Sequence, residues 1–84
     1  MTSLQFLIDN MCANFTERAI FRLLEALLAE RPRTITDIAC AIADNDRSLD
    51  IGSAQTLAEA AVEALARSGA IAVRDAYIYS ERAT

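Results

Sequence analysis

Asp44, Asp46, Ser48 and Asp50 occupy alternate positions in the stretch D-N-D-R-S-L-D. Hard oxygen donors at every second residue are what a calcium ion takes from a loop. The pattern then departs from that chemistry. Its sixth position is Leu49, where a calcium loop needs glycine for its sharp turn. Its twelfth is Gln55, where a bidentate glutamate belongs. The stretch reads as a solvated acidic loop, and no metal is expected there.

Little else in the chain has the makings of catalysis. Histidine, the commonest general base, is absent. Serines and carboxylates occur, but no nucleophile–base pair is visible and no glycine-rich loop could cradle a phosphate. The two cysteines, Cys12 and Cys40, sit among apolar residues. Two thiols without histidine make no metal site. They read as small buried residues of a reduced, cytoplasmic protein. Neither enzyme activity nor a cofactor is expected.

Charge is more informative. The 84 residues carry twelve acidic and eight basic side chains, a formal net charge of -4, and every basic residue is arginine. Such a chain is repelled by phosphate at long range, so nucleic acid is a disfavoured partner. An acidic surface either serves solubility or suits a basic protein partner. No run approaches the length of a membrane span. The N-terminus lacks a basic region and contains Asp9, unlike a secretory signal.

The elements that position these residues read as mainly α with a small C-terminal β-hairpin. Hydrophobic residues make up 54% of the chain, many of them alanine, which favours helix. Thr2 with Gln5 is spaced for a capping box, opening a short helix whose Leu4, Leu7, Ile8 and Met11 share a face. This arm, residues 1–13, either packs on the body or pairs two subunits as a homodimer. Asn14 with Glu17 is a second start signal, for a helix reaching Glu30. Ile20, Leu23, Leu24, Leu27 and Leu28 form its stripe, and Pro32 ends it.

Ile35 is expected to be extended and Thr34 or Thr36 to cap a short helix buried through Ile38, Ala39 and Ile42. The segment 44–53 reads as a loop. In the next helix Ala54, Leu57, Ala61, Ala64 and Leu65 face inward, while Gln55, Glu59, Val62, Glu63 and Ala66 face outward. Gly69 suits a left-handed C-cap. A hairpin follows, with Arg74-Asp75 as its turn. The domain is single: a body over 14–80 and a frayed tail over 81–84.

Helix, short strand, helix, loop, helix, hairpin is the element order of winged helix-turn-helix domains. The stretch T-I-T-D-I-A-C-A-I-A resembles their second helix. Leu65 to Ile71, in "LxxxGxI" style, resembles the passage from third helix to wing. In DNA-binding members that helix and wing supply Arg or Lys to phosphates and base edges. Here the corresponding face holds Gln55, Glu59, Val62 and Glu63 behind Asp44, Asp46 and Asp50. The chain also resembles small phage inhibitors of the anti-CRISPR type in size and charge. The resemblances imply a protein-interaction module that uses these seven residues to occupy a partner's basic, nucleic-acid-binding surface. The alternative is a DNA-binding winged-helix regulator. Its Ser53, Gln55 and Thr56 would meet bases, and Arg31, Arg33 and Arg74 would meet phosphates.

Overall fold

In a computed structural model, described over residues 3–81, the chain forms four helices and a two-stranded antiparallel hairpin. The helices are α1 (Leu4–Met11), α2 (Glu17–Glu30), α3 (Ile35–Asn45) and α4 (Ile51–Arg67). The strands are β1 (Ile71–Arg74) and β2 (Tyr77–Ser80).

Each helix starts where a side chain takes up a free backbone N–H. For α1 the cap is Ser3, whose oxygen accepts from Phe6, one residue later than the Thr2–Gln5 spacing suggests. Thr2 itself lies outside the described residues. For α2 the cap is Thr16, accepting from Ala19, and Asn14 is drawn away to another partner. For α3 it is Thr34, in a reciprocal capping box with Asp37. That box places Ile35 inside the helix and leaves Arg33 as the extended residue. For α4 it is Asp50, accepting from Ser53 at 2.7 Å. The expected loop over 44–53 thus shrinks to 46–50, because both helices extend into it.

The helix ends are as specific. After α4, Gly69 takes a φ of 81°. Its N–H bonds to Ala66 and that of Ala70 to Leu65, the paired arrangement of a Schellman motif. After α1, Cys12 fills the same role at φ 54°, a conformation that costs a residue with a Cβ. Both cysteines are exposed, contrary to the buried role their apolar neighbours suggest. Cys12 is held out on the helix end, and Cys40 lies on the outer side of α3.

The core is aliphatic. Ile20, Leu24, Ile38, Ile42, Leu57 and Ile78 are its largest fully buried side chains, drawn from α2, α3, α4 and β2. The most extensive contact is between α3 and α4. Ala54, Ala58 and Ala61 are fully buried, so these small side chains let neighbouring elements approach α4 closely. Leu4 and Ile8 of α1 are buried against α4 and α2. The radius of gyration is 11.8 Å, that of a compact chain of this length, so the N-terminal segment folds onto the body.

The hairpin turns at Asp75-Ala76, one residue beyond the expected Arg74-Asp75. Both turn residues have positive φ, 52° and 69°. That pair is the two-residue turn whose twist matches the strands, made here without its usual glycine. β1 and β2 pair from Ile71↔Ser80 to Arg74↔Tyr77. Arg33 adds a one-residue bridge on the other side of β2, exchanging both backbone bonds with Ile78. Glu81, assigned to a frayed tail by sequence, donates its N–H to the carbonyl of Ala70 at 2.9 Å. The rest of that tail is outside the described residues.

Candidate partner-binding surface

The seven residues expected to share one surface divide into three groups. Asp44, Asp50, Gln55 and Glu59 are exposed at the end of α3 and along the first half of α4. Glu63 is exposed too, but it lines a cleft of about 290 Å³ with Ser3, Leu4, Glu17 and Phe21, on the side of α4 where α1 packs. Asp46 and Val62 are buried, at 4% and 6% exposure, and are not available to a partner.

The burial of Asp46 has a clear cause. Its carboxylate accepts the backbone N–H of Asn14 at 2.8 Å, and both the N–H and the hydroxyl of Ser48. These bonds, led by the Ser48 hydroxyl, hold its pKa below the ordinary carboxylate value. Asp46 therefore ties the α1–α2 corner to the α3–α4 loop. The alternating oxygens that looked like metal ligands have two of their members employed in this way. Asp46 anchors the loop, and Asp50, its pKa lowered by the Ser53 amide, caps α4. Among the described residues, no cluster of three or more acidic or sulfur side chains is arranged to hold a metal ion.

Val62 lies at the border between the inner and outer sides of α4. Periodicity alone put it outside, and the hairpin decides otherwise. Val62 lines an apolar cleft of about 330 Å³ with Thr34, Ile35 and Thr36 at the start of α3, and Val73, Ala76 and Ile78 of the hairpin. The exposed apolar side chain on the outer side of α4 is instead Ile51, 53% exposed, one turn before Gln55. It was hidden in sequence because it falls in a stretch that reads as loop. Once Asp50 is known to be the cap, Ile51 becomes the first residue of the helix.

Along the exposed surface of α4 polar groups pair with one another. The Gln55 amide donates to Glu59 at 3.3 Å, and Arg67 forms an ion pair with Glu63. Arg67 is the only basic residue of the helix. Thr56, a candidate for reading bases, gives its hydroxyl to the carbonyl of Gly52.

Arg33, a candidate phosphate contact, folds back instead. Its Nε donates to the carbonyl of Leu27 and its guanidinium to Glu30, leaving the side chain 12% exposed. It serves the C-terminal end of α2, where unpaired carbonyls and the helix dipole favour a cation.

Among the described residues Asp44 has no such structural duty, and Glu59 has only its exposed contact with Gln55. Asp44 sits in the last turn of α3, where the dipole disfavours an acid. Glu59 and Glu63 are like charges one turn apart, a mildly unfavourable spacing. Helix stability does not account for Asp44, and at Glu59 the Gln55 contact is set against that repulsion. Among the described residues, no helix is long and apolar enough to cross a membrane. The chain matches no protein-family model, and no curated protein or solved structure is significantly similar to it.

Proposed function

We propose that this chain is a small acidic protein-interaction module with a winged-helix-like architecture, and that it acts as an inhibitor by covering a basic, nucleic-acid-binding surface of a partner protein. In general character this is an inhibitor of the anti-CRISPR type. One observation carries the reading: the solvent side of α4, where a winged-helix protein would meet DNA, presents Ile51, Gln55 and Glu59. The helix's single arginine is already paired with Glu63. An acidic rim around an exposed isoleucine suits a basic groove with an apolar floor. Asp44 and Asp50 extend the negative charge beyond the start of α4.

The alternative, a DNA-binding regulator, is favoured by the Arg33–Ile78 bridge. It adds to β2 the third, one-residue strand that a winged sheet has between its first and second helices. Its weakness is the supply of cations: Arg33 and Arg67 are engaged within the chain, leaving Arg31 and Arg74 as exposed candidates near the hairpin side.

A pull-down from the cells that make the protein separates the two readings. The wild-type chain is expected to retain a basic protein. The double reversal Asp44→Arg/Glu59→Arg, still folded by circular dichroism, is expected to lose it. Capture undiminished by the reversal removes this face from consideration. Recovery of DNA instead, with affinity falling steeply as salt rises, supports the regulator.

A further inference from the structure

The hairpin has one edge that no other described element covers. Arg74 and Tyr77 flank a two-residue turn and so form a hydrogen-bonded pair, and the next pair, Val73↔Ile78, is a non-bonded one. In an antiparallel ladder the backbone groups of non-bonded pairs point away from each other. Those of Ile78 point to Arg33, with N···O distances of 2.7 and 3.1 Å. By the same alternation, the N–H and C=O groups of Val73 and Ile71 point out from β1. No backbone bond from either reaches another element among the described residues. Val73 shares a sheet face with the buried Ile71 and Ile78, yet it is 56% exposed. The edge has no proline, lysine or bulge of the kind that protects a free strand.

We infer that this edge is a self-association surface, on which β1 pairs antiparallel with β1 of a second copy about a two-fold axis at Ala72. The outward-pointing groups fix that register. Ile71 faces Val73 of the second copy and Val73 faces its Ile71, so all four outward N–H and C=O groups on each chain find partners. The apolar side of Val73 meets an isoleucine. Ala72 faces Ala72 at the axis, a non-bonded pair where the backbones come closest and a small side chain fits.

Charge agrees with this register. It places Arg74 opposite Ala70 of the second copy, and behind Ala70 lies Glu81, which is bonded to it within its own chain. Two interstrand steps are about 10 Å, within the combined reach of an arginine and a glutamate. The pair occurs twice by symmetry. Within one chain Arg74 and Glu81 sit at opposite ends of the hairpin. Two four-residue strands bury less than a standard interface, so the dimer is weak and forms as concentration rises. This surface is separate from the acidic side of α4, and its failure would leave the proposed function untouched.

The test uses the full chain with Cys12→Ser and Cys40→Ser. With Ala72→Cys added, a mild oxidant should link two chains rapidly, whereas Thr56→Cys on α4 should not. Sedimentation velocity should show a dimer growing with concentration. Val73→Pro removes an outward N–H and the valine side chain but no bond of the β1–β2 ladder, and should weaken the dimer about tenfold or more. Arg74→Glu should also weaken it, and Arg74→Glu with Glu81→Arg should restore it. If Val73→Pro fails to fold, the charge swap decides alone. A chain that stays monomeric over its whole soluble range, with Ala72→Cys linking no faster than Thr56→Cys, overturns the proposal. So does a dimer indifferent to the charge changes, or hairpin pairing seen only with a different protein.

Discussion

Asp46 shows how one side chain can look like chemistry in sequence and serve architecture in the fold. Its carboxylate answers four donors at once, two from Asn14 and two from Ser48, and joins residues 32 positions apart. Because these bonds lower its folded pKa below the 3.8 expected when unfolded, the stability they add is fully present above that value. It is lost as pH falls through the folded pKa. Asp37 and Asp50, lowered chiefly by the Thr34 and Ser53 amides, act in the same sense. Urea denaturation should therefore show falling stability below pH 3.8, and Asp46→Asn should flatten that dependence. The same substitution should destabilise the domain at neutral pH, because an amide offers one acceptor oxygen where the carboxylate offers two. Sequence could not foretell this role. The Asp46 spacing to Ser48 is local and readable, but its bond to Asn14 spans the α2 and α3 segments.

At the scale of elements, positive φ angles set two opposed expectations. A Cβ added to Gly69 would meet nothing within 4 Å, so Gly69→Ala suffers from its φ of 81° alone. A loss of about 1 kcal/mol is expected in thermal or chemical denaturation. Ala76 is the reverse case, an L-residue at φ 69° in the hairpin turn. Ala76→Gly should raise stability by about 0.5 kcal/mol, the left-handed strain relieved less the added freedom of the unfolded chain. The element types were legible because helical periodicity, Pro32 and Gly69 are local signals. Where two caps competed, as Asn14 with Thr16, the choice rested on the Asn14–Asp46 contact, which no local pattern records. Val62 was misplaced for a similar reason: its helix face is readable, but the hairpin that covers it arrives from elsewhere in the sequence.

For the whole molecule, one residue gathers the most dependencies. Ile78 is fully buried, belongs to β2 and holds the Arg33 bridge. Ile78→Ala should cost about 2–5 kcal/mol. A domain of this size has a total of only about 4–13 kcal/mol, so the variant should melt far below the wild type or be unfolded at 37 °C. Circular dichroism melting would read this directly. The acidic character of the surface was legible from composition, while its division into three groups depended on how α1 and the hairpin pack.

The Arg33–Ile78 bridge also bears on time. Its two residues are separated by more than half of the chain, whereas each helix closes its own bonds locally. Bringing such distant segments together carries a loop-closure cost before any contact rewards it. The helices are therefore expected to assemble first and the last strand to dock late. In stopped-flow refolding, Ile78→Val should then speed unfolding more than it slows folding.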